Sequence, residues 1–234
     1  MKTKAILSIF LIGLNYDQVV LGQGFFQNLD FESANVSGYA PRSPVPISAA
    51  LPGWSVTSPG YVYVTYDGAS LGGAAVSVCD ANFYAYGSAS PVLDGNFSAF
   101  LFGGRDSSTT ISQTGLVPSN SRSLEMLVGS GWPNLYFSVS LGGQAIQMIP
   151  MESFSDCKLY CGDISSLAGE VETLSLTALA IPPLPNITPP SWFQVDDIMF
   201  SPQPVPEPTA TNWALFFGLL PASRFVVRCV HKSQ

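Results

Sequence analysis

Apolar and polar residues alternate along most of this chain in short segments, and no segment has the longer period of an amphipathic helix. The clearest alternation covers 135–141, where the odd-numbered apolar residues share one face of a strand: Leu135, Phe137, Val139 and Leu141. The paired glycines Gly142 and Gly143 follow directly. This pattern predicts a hairpin, with 144–149 as the returning strand.

Further short apolar or alternating segments, separated by glycine and proline, predict about ten strands in all. The predicted strands cover 25–32, 51–56, 61–66, 74–78, 97–102, 109–114, 123–128, 135–141, 144–149, 174–178 and 193–200. The segment 33–52 reads as a loop, and 163–169 as a one-turn helix or a tight loop. The pattern therefore predicts an all-β fold, a two-sheet antiparallel β-sandwich with jelly-roll topology.

Both ends of the chain differ from this middle part. Lys2 and Lys4 precede an apolar run at 5–14, which is typical of a secretory signal helix with cleavage after Gly22. We therefore expect a signal peptide at 1–22 and the β-sandwich domain at 23–201. A proline-rich linker at 202–212 and a hydrophobic and basic tail at 213–234 then complete the expected organisation.

The tail combines a short apolar run with scattered positive charge. It predicts a short hydrophobic helix of about 15 residues, interrupted by Pro221, where a spanning helix needs ~20. The residues expected to enter or flank the membrane are Trp213, Leu215, Phe216, Phe217, Leu219, Leu220, Arg224 and Arg228. We therefore expect a transient contact with the inner membrane rather than a permanent anchor.

The motif Val205-Pro206-Glu207-Pro208 before this tail resembles the PEP-CTERM sorting signal of Gram-negative bacteria. The resemblance implies processing by an exosortase-type membrane protease, and then delivery to the cell surface or the extracellular matrix. Two other interpretations remain open. One is a proline-rich linker with a frayed amphipathic tail, and the other is a lipid-anchor signal, which would end in the apolar run without trailing basic residues.

Charge narrows the range of partners. Charged residues make up only 11% of the sequence, and the net charge is −7. Between 23 and 204 there are four basic and fourteen acidic residues, a formal charge of −10. Such a body repels phosphate backbones, so we expect no nucleic-acid partner. A surface that is polar but mostly uncharged suits an exported β protein.

A second resemblance rests on short motifs that stand in a shared order along 25–201. They are 28–32 (Asn-Leu-Asp-Phe-Glu), 51–54 (Leu-Pro-Gly-Trp), 94–97 (Asp-Gly-Asn-Phe), 111–114 (Ile-Ser-Gln-Thr), 163–165 (Asp-Ile-Ser), 168–169 (Ala-Gly) and 195–198 (Val-Asp-Asp-Ile). This order is similar to that of the galactose-binding-like jelly rolls of exported bacterial proteins. The resemblance implies an architecture and not a ligand.

The candidate metal site lies between the ends of the predicted domain. One of Asp196 and Asp197 must point inward, and a buried carboxylate needs a partner. Together with Glu32, these residues are candidate calcium ligands, since a structural calcium is frequent in galactose-binding-like domains. The alternative is a carboxylate held by backbone N–H groups and a Ser or Thr. We expect no other cofactor.

The cysteines leave two interpretations open. Cys157 and Cys161 are close enough in sequence to form a small disulfide in an oxidising compartment, or they remain free thiols. Cys79 is expected to be a small buried apolar residue.

Catalytic motifs are scarce in the sequence. Its one histidine is His231 in the tail, which excludes a Ser-His-Asp or Cys-His nucleophile in the body. The leading interpretation is a non-enzymatic, surface-sorted protein associated with extracellular polysaccharide. The alternatives are a lectin module with a defined sugar site and a glycoside hydrolase that uses two carboxylates. Aromatic residues that could stack on sugar rings are Tyr61, Tyr63, Tyr66, Tyr84, Tyr86 and Trp132.

Overall fold

The computed structural model describes residues 25–58, 63–68, 75–85, 88–89, 92–104, 106–129, 136–180 and 191–206. The expected signal peptide and the hydrophobic tail lie outside these ranges. Within them, the helices are all too short or too polar to cross a membrane.

Fifteen strands, one short α-helix and one 3₁₀ turn make up the described chain. The strands are β1 (Pro44–Pro46), β2 (Ser55–Thr57), β3 (Tyr63–Tyr66), β4 (Ala75–Cys79), β5 (Tyr84–Ala85), β6 (Ser88–Ala89), β7 (Ser98–Gly103), β8 (Thr109–Leu116), β9 (Ser123–Gly129), β10 (Phe137–Leu141), β11 (Gln144–Ile146), β12 (Ile149–Ser153), β13 (Cys157–Asp163), β14 (Val171–Ala178) and β15 (Ser191–Ser201). The α-helix α1 covers Ile47–Ala50, and the 3₁₀ turn covers Ser165–Leu167.

The strands form two large sheets that pack face to face. The eight-stranded sheet has the order β1-β3-β4-β7-β15-β9-β13-β12, and the five-stranded sheet has the order β11-β10-β14-β8-β2. Every pair in these sheets is antiparallel except β3 with β4, which is parallel. The predicted all-β, two-sheet sandwich is confirmed, with one parallel pair that the sequence did not indicate.

The main core fills the space between the two sheets. It includes Leu124, Met126 and Val128 of β9 from one sheet and Leu174 and Leu176 of β14 from the other, and all five side chains are buried. Because successive side chains of a strand point to opposite faces of the sheet, the other residues of β9 and β14 point away from this core. The outward side chains of the two sheets therefore form two opposite outer surfaces of the domain.

The predicted glycine hairpin is confirmed. Leu141 pairs with Gln144, and the intervening Gly142 and Gly143 have φ of 60° and 76°, the positive values that a type I′ hairpin turn requires at both positions. The returning segment is shorter than predicted. It leaves the five-stranded sheet after Ile146, and the chain crosses to the other sheet to form β12.

The predicted first strand at 25–32 is wrong. Phe25 makes a single bridge with Leu116, and the chain then turns, because Asn28 and Phe31 have φ of 49° and 57°. A strand requires negative φ, so these two residues end any regular pairing. Phe31 is nonetheless completely buried and stacks on Trp54 at 5.7 Å.

Two other segments also differ from the sequence-based assignment. The predicted loop at 33–52 contains β1 and α1, and the prolines at the two ends of β1 fit its position at the edge of a sheet. β13 was not predicted at all, although it pairs along its whole length with β9. The turn predicted at 163–169 is confirmed as a 3₁₀ turn.

Candidate functional site

A β-bulge in β15 places two adjacent aspartates in different environments. Asp196 pairs with Leu127 of β9, and Met199 pairs with Glu125, so one residue more lies between the partners on β15 than on β9. Asp197 takes up the extra length with φ of 49°. The bulge therefore changes the direction of the side chains that follow Asp196.

Asp196 is buried, with 1% of its surface exposed, and its carboxyl group accepts three hydrogen bonds. The donors are the Asp94 N–H at 3.2 Å, the Ser98 hydroxyl at 2.6 Å and the Asp197 N–H at 2.8 Å. Burial raises the pKa of Asp196 to about 8, against the opposing effect of these three donors. The Asp196 carboxyl group is thus held by two backbone N–H groups and a serine hydroxyl, which is the arrangement given above as the alternative to calcium.

Asp197 is half-buried and faces an acidic environment. Burial raises the pKa of its carboxyl group, and the negative charges of Asp94, Asp30 and Glu32 raise it further. Glu32 itself is engaged, because its carboxylate accepts hydrogen bonds from the backbone N–H groups of Asn96 and Phe97 and from the Asn96 amide. Asp197 therefore supplies a carboxyl group that favours a hydrogen-bonding or cationic partner.

Two of the three candidate calcium ligands are engaged in hydrogen bonds within the protein. The oxygens of Glu32 and Asp196 already accept hydrogen bonds from N–H and O–H donors of the protein. In the ranges that the structure describes, no group of three or more His, Cys, Asp or Glu side chains could hold a metal ion.

A cleft opens beside Asp197 on the outer surface of the eight-stranded sheet. It has a volume of about 120 Å³. Its lining combines apolar side chains with three carboxyl groups, and the residues are Glu125, Leu127, Glu152, Phe154, Leu159, Asp197 and Met199. We call this the carboxylate cleft. Its residues come from β9, β12, β13, β15 and the turn after β12, so pairing in the sheet brings together positions that are distant in sequence.

A second, more open cavity of about 330 Å³ adjoins the carboxylate cleft. The two share Asp197 and Met199, and the second is also lined by Phe26, Asn28, Leu29, Asp30 and Ile198. The bulge that separates Asp196 from Asp197 therefore places Asp197 at the junction of the two cavities.

The chemistry of the carboxylate cleft suits an uncharged, hydroxylated ligand. Leu127, Leu159 and Phe154 pack together and supply apolar contact area. Glu125, Glu152 and Asp197 supply carboxyl oxygens that accept hydrogen bonds from hydroxyl groups. A few polar groups around an apolar floor are the usual composition of a small-molecule site, and a sugar ring presents both C–H faces and hydroxyls.

Of the two interpretations left open for Cys157 and Cys161, the structure does not contain the local disulfide. Cys157 and Cys161 are not bridged to each other, and both are buried. They lie on the same strand, β13, four residues apart, which separates them by ~13 Å along the strand. A disulfide needs Cα atoms within about 7 Å, so this pair cannot close without unfolding β13. Cys79 is also unbridged and completely buried, as expected for a small apolar residue.

The sorting motif falls at the end of the described chain. After β15 the chain continues without regular structure, and Pro206 is exposed, while Glu207 and Pro208 lie outside the described residues.

Of the candidate sugar-stacking aromatics, Tyr63 is 56% exposed, and the Tyr66 hydroxyl donates to Asp80 at 2.6 Å. The side chains of Tyr61, Tyr84, Tyr86 and Trp132 lie outside the described part.

The sequence matches no protein-family model and no curated protein. Three solved structures are similar in part. A Stig cyclase of Fischerella sp. TAU, in complex with (3Z)-3-(1-methyl-2-pyrrolidinylidene)-3H-indole, has 14% identity and a TM-score of 0.43, over 76% of this chain and 95% of the cyclase. The module TmCBM61, in complex with beta-1,4-galactotriose, has 16% identity and a TM-score of 0.40, over 76% of this chain and 97% of the module.

The third structure is the enzymatically active domain of bacteriophage CBA120 tailspike protein 4. It has 11% identity and a TM-score of 0.34, over 63% of this chain and 19% of the tailspike chain. All three TM-scores are below 0.5, so these likenesses carry no argument about function. The assignment of a β-sandwich rests on the two packed sheets themselves.

Proposed function

We propose that this chain is an exported, non-enzymatic β-sandwich that binds extracellular polysaccharide and is sorted to the cell surface. The observation that carries the proposal is the carboxylate cleft, with its apolar floor and three carboxyl groups. The low proportion of charged residues, 11% of the sequence, supports the same conclusion, because a mostly uncharged polar surface is compatible with a neutral, hydrated matrix.

The cleft makes a lectin-like sugar site the more specific form of this proposal. Phe154 offers an aromatic face, and Glu125 and Glu152 lie on two strands that are separated only by β13. Carboxylates on both sides of an apolar floor can accept hydrogen bonds from several hydroxyls of one ring. A ligand that also carries negative charge would be repelled by the same groups, so we infer a neutral glycan.

A panel of immobilised glycans tests this proposal on the full-length chain. We expect binding to neutral oligosaccharides and none to polyuronates, because three carboxyl groups line the cleft. The bound oligosaccharides are then recovered and checked by mass spectrometry. Intact sugars agree with a binding module, whereas shortened products would show a carboxylate hydrolase instead.

Sorting to the surface is the second part of the proposal. Proline lacks an N–H donor and fixes φ, so the run before Glu207 stays extended and accessible to a membrane protease. The basic residues Arg224 and Arg228 favour the cytoplasmic side, which leaves the Pro-Glu-Pro motif on the outer face of the inner membrane.

We expect the mature surface protein to lack its tail. Mass spectrometry of protein recovered from the native cell surface should end near the motif, and replacing Pro206-Glu207-Pro208 by alanines should abolish this processing. Recovery of surface protein that still ends in Gln234 would contradict the proposal, as would unchanged delivery of the alanine variant.

A further inference from the structure

The outer surface of the five-stranded sheet is covered by hydroxyl side chains. On β2, β8, β10 and β14 every second residue points away from the core, and none of the outward residues is buried in the central part of the sheet. Ten of them are serine or threonine: Ser55, Thr57, Thr110, Ser112, Thr114, Ser138, Ser140, Thr173, Ser175 and Thr177. We call this surface the hydroxyl face.

The strand register arranges these hydroxyls in rows across the sheet. One row contains Ser55, Ser112, Ser175 and Ser140, each paired with the next on the neighbouring strand. A second row contains Thr57, Thr110, Thr177 and Ser138, and Thr114 with Thr173 forms a shorter third row. None of these pairings is interrupted by a bulge.

This arrangement makes the hydroxyl face periodic in two directions. Neighbouring strands lie ~4.8 Å apart, and alternate residues of one strand lie ~6.7 Å apart. Hydroxyl groups therefore repeat on a regular grid. A periodic ligand can match such a grid at many points, whereas a single small molecule would use only a few of them.

Cross-strand hydrogen bonds hold part of the grid in place. The hydroxyls of Thr110 and Thr177 are 2.8 Å apart, and those of Thr114 and Thr173 are 2.7 Å apart. In each pair one hydroxyl donates to the other, so the second keeps its own proton for an external acceptor. The threonine side chains are thereby oriented before a ligand arrives, which reduces the entropy lost on binding.

The hydroxyl face is uncharged but not uniformly polar. Acidic and basic side chains are absent from its outward positions on the described strands. At one end, the backbone N–H of Leu179 donates a hydrogen bond to the carbonyl of Tyr136. Leu179 is 36% exposed, and Tyr136 is 44% exposed. Tyr136 thus adds an aromatic ring beside the hydroxyl rows, in line with the outward Ser138 and Ser140.

We propose that the hydroxyl face is a second carbohydrate-binding surface, which takes the ordered face of a neutral, insoluble polysaccharide. The periodic hydroxyls match a periodic hydroxylated polymer, the lack of charge matches its neutrality, and Tyr136 offers a ring on which a sugar unit can stack. The face lies on the opposite side of the sandwich from the carboxylate cleft, so one molecule can hold two polysaccharide chains.

Adsorption of the full-length chain to washed microcrystalline cellulose tests this proposal. We expect adsorption that persists at ~0.5 M NaCl, since screening does not weaken an uncharged interface. Ser175→Lys, at the centre of the grid, and Tyr136→Ala, at its end, should each lower the adsorption affinity at least ~10-fold. Thermal unfolding of each variant shows whether it is folded.

Matched controls separate the hydroxyl face from the rest of the surface. Ser155→Lys lies on an exposed turn of the other sheet, and Tyr63→Ala removes an aromatic ring that is 56% exposed on β3. Both should adsorb like the unchanged chain. Phe154→Ala should also adsorb, although it loses soluble oligosaccharides from the cleft.

Each of several outcomes would overturn the proposal. Among these are a folded Ser175→Lys variant that adsorbs normally, a loss of adsorption in salt, and an unchanged chain that fails to adsorb. If Phe154→Ala abolishes adsorption while Ser175→Lys retains it, the cleft alone binds polysaccharide. In that case the proposed function survives, and the hydroxyl face has no part in it.

Discussion

Asp196→Ala should lower the free energy of unfolding by about 3 kcal/mol or more. The substitution removes the carboxyl group that accepts three hydrogen bonds. The Asp94 N–H, the Asp197 N–H and the Ser98 hydroxyl then lose this acceptor. Each buried donor left unsatisfied costs ~1–3 kcal/mol. Denaturant unfolding measures the change. Asp106→Ala removes an exposed carboxylate and should change stability by less than ~0.5 kcal/mol.

The pH dependence of stability tests the same group independently. The pKa of Asp196 is about 8 in the folded state and 3.8 in the reference state, so between these values the folded state binds a proton that the unfolded state lacks. The stability that this protonation contributes is therefore fully present below about pH 4 and is lost as the pH rises to about 8. Asp196→Asn should remove this part of the pH slope. An Asn variant with the slope of the unchanged chain would contradict the assignment.

Trp54→Ala should lower the free energy of unfolding by about 3–5 kcal/mol, since it empties a large site in the main core. The indole is 4% exposed and stacks on Phe31, and its N–H donates to the carbonyl of Asn28 at 2.9 Å. It therefore holds the turn at 28–31 against the sheet. Denaturant unfolding monitored by circular dichroism, which does not depend on the lost indole, gives the measurement.

Two further variants separate packing from hydrogen bonding at this position. Trp54→Phe keeps most of the ring volume but loses the donor to Asn28, so it should cost ~1–3 kcal/mol. Tyr63→Ala, which removes an exposed ring, should cost far less than Trp54→Ala. Equal losses for Trp54→Ala and Tyr63→Ala would show that the turn at 28–31 does not depend on the indole.

Alternation of side chains was enough to predict most of the sandwich. β8, β10 and the Gly142-Gly143 hairpin follow from patterns that one strand carries by itself. The segment 25–32 has the same alternation, yet Asn28 and Phe31 take positive φ there. Contacts distant in sequence stabilise this turn. The side-chain amide of Asn28 donates a hydrogen bond to the Pro52 carbonyl, and the backbone N–H of Ile198 donates one to the Leu29 carbonyl. A local pattern cannot contain that information.

The candidate site was predictable only in part. The need of a buried aspartate for hydrogen-bond donors was clear from sequence, and Asp196 meets it. The carboxylate cleft was not predicted, because Glu125, Glu152 and Phe154 meet only through the pairing of β9, β13 and β12. The sequence left open whether Cys157 and Cys161 form a disulfide, and the extended conformation of β13 excludes it. The alternation at 135–141 puts Tyr136, Ser138 and Ser140 on the face opposite the apolar residues, but it does not give their alignment with serines and threonines of other strands.

Affinity of the full-length chain for a soluble neutral oligosaccharide is the most direct test of the central claim. The ligand is the best binder of the glycan panel, and calorimetric titration compares the unchanged chain with Phe154→Ala and with Met151→Ala. Met151 is 39% exposed on β12 and lies outside the carboxylate cleft. We expect Phe154→Ala to lose at least ~10-fold in affinity and Met151→Ala to bind normally. Equal affinities of the folded Phe154→Ala variant and the unchanged chain would contradict a sugar site in the carboxylate cleft.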